Sequence, residues 1–288
     1  MDVSAILSPI LTIGGMGLVF GVGLGIAAKK FAVPVDERVE QIKENLPGAN
    51  CGGCGFAGCE AMAKSMAAGE SKVNACPVCN SNQIEAIAEI MGIKADQNDK
   101  KIAVVRCKGN LEHAKQKYDY LGLKTCEDAH LIGGGPKMCS YGCLGYGSCV
   151  NQCQFGAMQM VDGLPVIDKE KCVGCGACEK QCPRQVIHLI SPLSSYHVDC
   201  VSKDKGKEVK AGCQVGCIGC GICVKQCEAQ AITLTENVAQ IDSDLCIACG
   251  KCGAKCPTHA ISNLLDEIGK QNLPLSAKPS SSHGEISL

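Results

Sequence analysis

The sequence of 288 residues has few aromatic side chains and no excess of charge of either sign. Tryptophan is absent and aromatic residues make up 3% of the chain, which disfavours the aromatic platforms on which nucleic-acid bases stack. Lysine and arginine together number 28, against 29 aspartates and glutamates. The chain therefore lacks the positive footprint of a nucleic-acid-binding protein, and we expect no nucleic-acid partner.

The motifs of common enzymes are also missing. No Gly-x-Gly-x-x-Gly follows a convincing strand, so the sequence predicts no nicotinamide or flavin site. The glycines at 133–135, before Pro136 and Lys137, lack the spacing of a phosphate-binding loop and are interpreted as a turn. The histidines are scattered and the carboxylates are not paired for acid–base work. We predict no catalytic residue in this chain.

Cysteine, in contrast, is abundant, with 25 residues. Disulfide scaffolds are usually short and secreted and have an even number of cysteines. This chain is long, its number is odd, and its cysteines fall in C-x2-C runs. The pattern favours metal binding over disulfides.

The N-terminus carries an uncharged apolar run from Val3 to Ala28. As a helix it would be about 39 Å long, more than the hydrocarbon core of about 30 Å. A basic start and an A-x-A cleavage site, which mark signal peptides, are both missing. We predict a single uncleaved transmembrane helix over residues 1–30, although a buried helix of a soluble protein has the same composition. Lys29 and Lys30 predict that the remaining chain is cytoplasmic.

A small helical module is expected after the anchor, over residues 31–95. Asp36 is a candidate N-cap, and Val39, Ile42 and Leu46 form an apolar stripe at helical spacing. The segment after Pro274 is rich in Ser, Lys and Pro, and the tail 271–288 is predicted to be disordered. Further predicted elements are the helices Glu60–Gly69 and Gln83–Met91 and the strand Ile102–Val105.

The second half of the chain contains an internal repeat. A shift of 74 residues superimposes nine cysteines on nine others without a gap, which indicates a tandem duplication. Each copy is also predicted to contain a β-hairpin, with Asp162-Gly163 as the turn of the first and Glu236-Asn237 as the turn of the second. The predicted strands are Ala157–Met160 and Leu164–Ile167, then Ala231–Thr235 and Val238–Ile241.

The repeated cysteine runs have the C-x2-C-x2-C-x3-C spacing of bacterial ferredoxins, in which three thiolates of a run hold one [4Fe–4S] cluster and the fourth crosses to its neighbour. Zinc also binds C-x2-C pairs, but its structural sites usually combine two separated pairs. Crossing gives cluster one from Cys139, Cys143, Cys149 and Cys182; cluster two from Cys153, Cys172, Cys175 and Cys178; cluster three from Cys217, Cys220, Cys223 and Cys256; and cluster four from Cys227, Cys246, Cys249 and Cys252.

Cluster one departs from the standard run, because Tyr146 occupies the position that corresponds to Cys220. We therefore predict that Cys139 substitutes as a ligand, which leaves its repeat mate Cys213 spare. Elimination then suggests a sixth cluster, with four buried or free thiols as the alternative. Its predicted ligands are Cys107, Cys126, Cys200 and Cys213.

The helical module carries three close cysteines in a glycine-rich loop and a fourth at a distance, which also suits a [4Fe–4S] cluster. Cys79 is close enough to compete with Cys76, and we predict that it stays free. The ligands predicted for this cluster are Cys51, Cys54, Cys59 and Cys76.

These motifs together resemble one family. The segments Leu46–Gly55, Asn74–Pro77, Tyr141–Gly145 and Gly216–Cys220, after an N-terminal membrane helix, are similar to the B subunit of Rnf complexes, the ion-translocating ferredoxin:NAD oxidoreductases. The resemblance covers nearly the whole chain except the tail. It implies that reduced ferredoxin docks on this chain, and that partner subunits carry flavins, a membrane iron–sulfur centre and the nicotinamide site.

We therefore predict an α+β protein: a transmembrane helix, a small helical [4Fe–4S] module, a connecting segment 96–138, and tandem two-cluster ferredoxin-like domains at 139–195 and 196–270. The expected function is electron transfer from ferredoxin through five or six [4Fe–4S] clusters in a membrane complex, with no catalysis by the chain alone. The alternatives are a polyferredoxin of another membrane oxidoreductase and a membrane-tethered zinc-binding interaction protein.

Overall fold

The computed structural model describes residues 3–30, 36–95, 101–191 and 196–264. The predicted tail 271–288 lies outside these ranges. The helices are α1 (Val3–Lys30), α2 (Glu37–Asn45), α3 (Cys59–Ala67), α4 (Ser81–Met91), α5 (Cys126–Leu131), α6 (Ser148–Asn151), α7 (Ala177–Gln181), α8 (Gly206–Gly212), α9 (Ile222–Gln226) and α10 (Lys251–Ala254). The strands are β1 (Ile102–Val105), β2 (Met158–Val161), β3 (Leu164–Ile167), β4 (Ile187–Ile190), β5 (Tyr196–Val198), β6 (Ile232–Thr235), β7 (Val238–Ile241) and β8 (Ile261–Asn263).

Helix α1 contains the predicted apolar run. Its segment Ile13–Lys30 has a mean hydropathy of 1.3 and, by length and composition, is able to cross a membrane. Side chains along this segment, such as Phe20 and Leu24, are more than half exposed. Since an apolar helix without protein packing needs a lipid environment or a partner, the geometry suits a membrane anchor.

Helices α2, α3 and α4 pack into the small module. The side chain of Asp36 caps α2 by accepting a hydrogen bond from the backbone N–H of Arg38 at 3.0 Å, as predicted. The stripe Val39, Ile42 and Leu46 is buried against Met62 and other apolar side chains of α3 and α4. The predicted helices of this module are confirmed, with boundaries shifted by one or two residues.

Within the described ranges the strands form four separate antiparallel pairs, β1 with β4, β2 with β3, β5 with β8 and β6 with β7. Both predicted hairpins are present, and their turn residues Asp162-Gly163 and Glu236-Asn237 all have positive φ angles between 48° and 75°. Such angles give the turn that matches the right-handed twist of paired strands. The 74-residue shift that relates the cysteines also relates the two hairpins.

Strand β1 lies in the predicted connecting segment but belongs to the first of these repeated units. It pairs with β4 from Ile102 opposite Ile190 to Val105 opposite Ile187. The second unit has its counterpart in β5, where Val198 lies opposite Ile261. The connecting segment thus supplies an edge strand to the first unit, which the cysteine spacing alone did not indicate.

Candidate iron–sulfur centres

In the small module, the loop before α3 holds Cys59, the cysteine at which that helix begins. Cys59 is the first residue of α3. The side-chain oxygen of Asn50 accepts a hydrogen bond from the backbone N–H of Cys59 at 2.8 Å. Four cysteines line the cavity between this loop and α3, and we call them the module cage: Cys51, Cys54, Cys59 and Cys76. The predicted set is thus brought together, but sequence reasoning missed Asn50.

Cys79 lies beside the module cage without lining its cavity. Its thiol donates a hydrogen bond to Cys76, which lowers the pKa of the Cys76 thiol to about 6 and raises the pKa of Cys79. Negative charge at Cys54 and Cys59 raises the pKa of Cys79 further. Cys79 is therefore the donor of this pair, and the sulfur of Cys76 is the acceptor.

The structure brings together the four cysteines predicted for cluster two, which come from both sides of the first hairpin. Cys175 lies close to Cys153 and Cys172, and Cys178 lies close to Cys172 and Cys175. The backbone N–H of Ala103, in β1, points to the sulfur of Cys172 at 3.5 Å. We call these cysteines cage 2: Cys153, Cys172, Cys175 and Cys178.

The second unit contains two further sets that meet as predicted. Cys223 lies close to Cys217, Cys220 and the crossing Cys256, which together form cage 3. In cage 4, Cys252 lies close to Cys246 and Cys249, and Cys227 belongs to the same apolar core cluster. Backbone N–H groups point to the two crossing sulfurs at 3.3 Å each, from Ala231 to Cys227 and from Ala260 to Cys256.

The first unit groups its remaining cysteines differently from the sequence prediction. Cys126, rather than Cys139, lines a cavity with three cysteines of predicted cluster one, and we call this set cage 1: Cys126, Cys143, Cys149 and Cys182. Helix α5 begins at Cys126, whose backbone N–H donates to the hydroxyl of Ser148 at 2.9 Å. Ser148 is the first residue of α6, next to Cys149. This contact holds the start of α5 beside Cys149, so that Cys126 supplies the fourth thiol of the cavity.

Cys139 instead joins the set predicted for a sixth cluster. The cavity there has a volume of about 260 Å³, and its cysteines form the central cage: Cys107, Cys139, Cys200 and Cys213. Glycines surround it, since a Cβ at Gly142 would lie 3.4 Å from the sulfur of Cys139, and a Cβ at Gly109 would lie 3.4 Å from that of Cys213. Cys126 and Cys139 therefore exchange places relative to the prediction.

The donor chemistry of these cysteine sets is that of iron–sulfur proteins. Each cage offers four thiols, and backbone N–H groups bond to ligand sulfurs, as between Gly142 and Cys139 at 3.2 Å. Burial raises the pKa of Cys143, Cys149, Cys178 and Cys200 to about 12. A bound cationic cluster core would stabilise these thiolates, so loading would release protons.

Comparison with known proteins agrees with this chemistry. Residues 46–78 match the family described as "Putative Fe-S cluster", residues 165–188 match "4Fe-4S binding domain", and residues 216–260 match "4Fe-4S dicluster domain". Fold and cysteine cages thus define an iron–sulfur protein with ferredoxin-type domains, which confirms the class predicted from the spacing.

Relatives that match most of the chain show to which family of iron–sulfur proteins it is similar. The chain is 45% identical over 260 residues to the B subunit of the Na⁺-translocating ferredoxin:NAD⁺ oxidoreductase complex of Acetobacterium woodii, covering 90% of this chain and 78% of the relative. It is 44% identical over 259 residues to the B subunit of the ion-translocating oxidoreductase complex of Methanosarcina acetivorans, covering 90% and 98%. For the B subunit of the proton-translocating ferredoxin:NAD⁺ oxidoreductase complex of Clostridium ljungdahlii, identity is 45% over 233 residues, covering 80% and 82%.

The chain therefore belongs to the family of B subunits of ion-translocating oxidoreductase complexes. This result confirms the resemblance seen in the sequence and the prediction of an electron-transfer subunit of an oxidoreductase.

Proposed function

We propose that this chain is a membrane-anchored electron wire that carries electrons from reduced ferredoxin into an ion-translocating ferredoxin:NAD oxidoreductase complex. A [4Fe–4S] cluster in each of its six cages would accept and release one electron at a time. The chain itself breaks no substrate bond; its residues hold the clusters, exclude water and set their spacing. The observation that carries the proposal is a series of contacts that links each cage to the next.

The first steps of this line join the module to the first unit. A Cβ at Gly53, between the module ligands, would lie only 2.7 Å from the carbonyl oxygen of Cys175, a cage 2 cysteine. Burial raises the pKa of Cys175, and negative charge on Cys51, which lies near it, raises this pKa further. Cage 2 then meets cage 1, because Cys149 is close enough to Cys178 to raise its pKa.

The next steps cross from the first unit to the second. The backbone N–H of Cys143, in cage 1, points to the sulfur of Cys107, in the central cage, at 3.4 Å. The backbone N–H of Cys217, in cage 3, donates to the thiol of Cys200, again in the central cage. Cages 3 and 4 share one apolar core. The central cage is thus the link between the two units.

The ends of the line suggest the direction of electron flow. The module end is tied to α1 by residues 31–35, so it stays close to the membrane if α1 spans it. Lys29 and Lys30 favour a cytoplasmic location for the cages. At the other end Cys249 is exposed, and so is the apolar side chain of Ile247, two residues before it. Ferredoxin would deliver electrons at cage 4, and partner subunits would take them from the module.

The domain organisation follows from the same line. We propose tandem two-cluster ferredoxin-like domains, with cages 1 and 2 in the first and cages 3 and 4 in the second. The 74-residue shift between the hairpins and between the cage cysteines supports a duplication. The pairing of β1 with β4 supports including residues 102–105 in the first domain.

Metal analysis of the complete chain, purified without oxygen, tests the wire. We expect about 24 irons and as many acid-labile sulfides per polypeptide, four for each cage. A total of about 20 irons would remove one cage from the proposal and break the line. Zinc without sulfide would overturn electron transfer and favour the zinc-binding interaction protein.

Rapid mixing with reduced ferredoxin tests the entry point. Ile247→Glu places a charge beside cage 4, and we expect it to slow cluster reduction at unchanged iron content. Leu121→Glu is the matched control, because Leu121 is 96% exposed and lies outside the lining of the cage cavities. Equal slowing in both variants, or in neither, would contradict entry at cage 4.

A further inference from the structure

The central cage has a buried positive charge in its wall. Lys137 is 3% exposed and is the one buried lysine in the part of the chain that the structure describes. It lines the cavity of about 260 Å³ together with Cys107, Cys139 and Cys213. A lysine at this depth is rare in proteins unless an anion compensates it.

No carboxylate of the described residues fills that role. The ammonium group of Lys137 donates to the carbonyl oxygen of Gly109 at 2.6 Å, and no ion pair of Lys137 occurs in the described ranges. Asp199, a buried carboxylate that lines the same cavity, is engaged by His197 at 2.8 Å and by Lys108 at 2.9 Å. With a cluster bound, the thiolates of the central cage would be the anions that face this charge. Burial raises the pKa of Cys107 and Cys213, and positive charge on Lys137 opposes that rise.

The backbone holds Lys137 against the cage. The backbone of Lys137 forms an isolated β-bridge with Gln116. The next backbone N–H, that of Met138, donates to the carbonyl oxygen of Lys115 at 2.8 Å. Met138 is followed directly by the ligand Cys139. These contacts hold the backbone of Lys137 beside the cavity, and its side chain is buried there.

We propose that Lys137 is a positioning residue that raises the reduction potential of the cluster in the central cage. The inference rests on the proposed function, since it needs a cluster in this cage. One electron from a neighbouring cage adds one negative charge to the four-thiolate centre, and no proton or bond is involved. The ammonium group attracts the reduced form more strongly than the oxidised form, and the low dielectric of the interior preserves this difference.

This tuning has a place in the wire. The central cage is the link between the two units, so a low potential there would make the crossing an uphill step for every electron. Lys137 makes that step more favourable. Arg106 adds a second cation to the same cavity wall; burial lowers its pKa and negative charge at Cys200 raises it.

A redox titration monitored by electron paramagnetic resonance, on the complete chain, tests the proposal. Cys213→Ala first identifies the signal of the central cage, which should vanish with about four irons. In Lys137→Gln we expect that same signal to titrate at a lower potential, with the others unchanged, and Lys137→Arg to restore it. Lys203→Gln is the matched control, because Lys203 is exposed and paired with Glu236.

Each outcome decides a different part of the argument. If Cys213→Ala loses no iron, the proposed cluster fails and the tuning fails with it. If the cluster is present and Lys137→Gln leaves its potential unchanged, only the role of Lys137 is overturned. If Lys137→Gln loses the cluster while Lys137→Arg keeps it, a positive charge is required, as expected; loss in both would overturn a charge effect. In Arg106→Gln we also expect the signal of the central cage to titrate at a lower potential. An unchanged potential in this variant would contradict the mechanism.

Discussion

The exchange of Cys126 and Cys139 between two cages can be tested by counting iron in double variants. On the structural grouping, Cys126 and Cys143 share cage 1, so replacing both by alanine damages one cage twice and costs about four irons. On the grouping predicted from sequence, the same pair damages two clusters and costs about eight. The two groupings thus differ by one whole cluster.

The reciprocal pair reverses the expectation. Cys139→Ala combined with Cys143→Ala affects the central cage and cage 1 on the structural grouping, with a loss of about eight irons. On the sequence grouping it affects one cluster, with a loss of about four. The structural reason is local, because the hydroxyl of Ser148 holds the backbone of Cys126 at 2.9 Å beside Cys149. Cys139 lies in the wall of the central cavity, where its sulfur accepts from Gly142.

Iron and acid-labile sulfide per polypeptide, measured after purification without oxygen, give the result, and circular dichroism checks that each variant is folded. Each single variant should lose about four irons on either grouping, and this calibrates the assay. Cys79→Ala should lose none, because Cys79 does not line the module cavity. A loss of about eight irons from the first pair and about four from the second would refute the structural grouping.

Three further predictions concern other parts of the chain. Gly174 has a φ of +66° and a Cβ there would collide with the carbonyl oxygen of Lys101, so Gly174→Ala should lose the iron of cage 2, whereas Gly221→Ala, with φ +69° and open space, should keep full iron. Ile42 is fully buried in the module core, so Ile42→Ala should lower the free energy of unfolding of the module by about 2–5 kcal/mol in urea denaturation. Removal of residues 1–30 should release the protein from membranes in flotation assays at unchanged iron content; continued membrane binding would show that α1 is not the sole anchor.

Most of the local structure could be predicted because its determinants are close together in sequence. The apolar stripe of α2 and the cap at Asp36 act over one or two turns. The turn Asp162-Gly163 adopts the positive φ angles that its residues favour. The strand Ile102–Val105 was predicted as an element, but not its partner, because β4 follows far along the chain at Ile187–Ile190.

The sequence by itself determined the class of protein, since a C-x2-C-x2-C run presents three thiols to one site whatever the surrounding fold. It also predicts a duplication, and with it the crossing positions of Cys227 and Cys256. Only the tertiary structure decided which cage takes Cys126 and which takes Cys139, because that depends on where α5 packs against Ser148. It alone also buried Lys137 beside the central cage, since burial is a property of the packed chain and leaves no pattern in the spacing of residues.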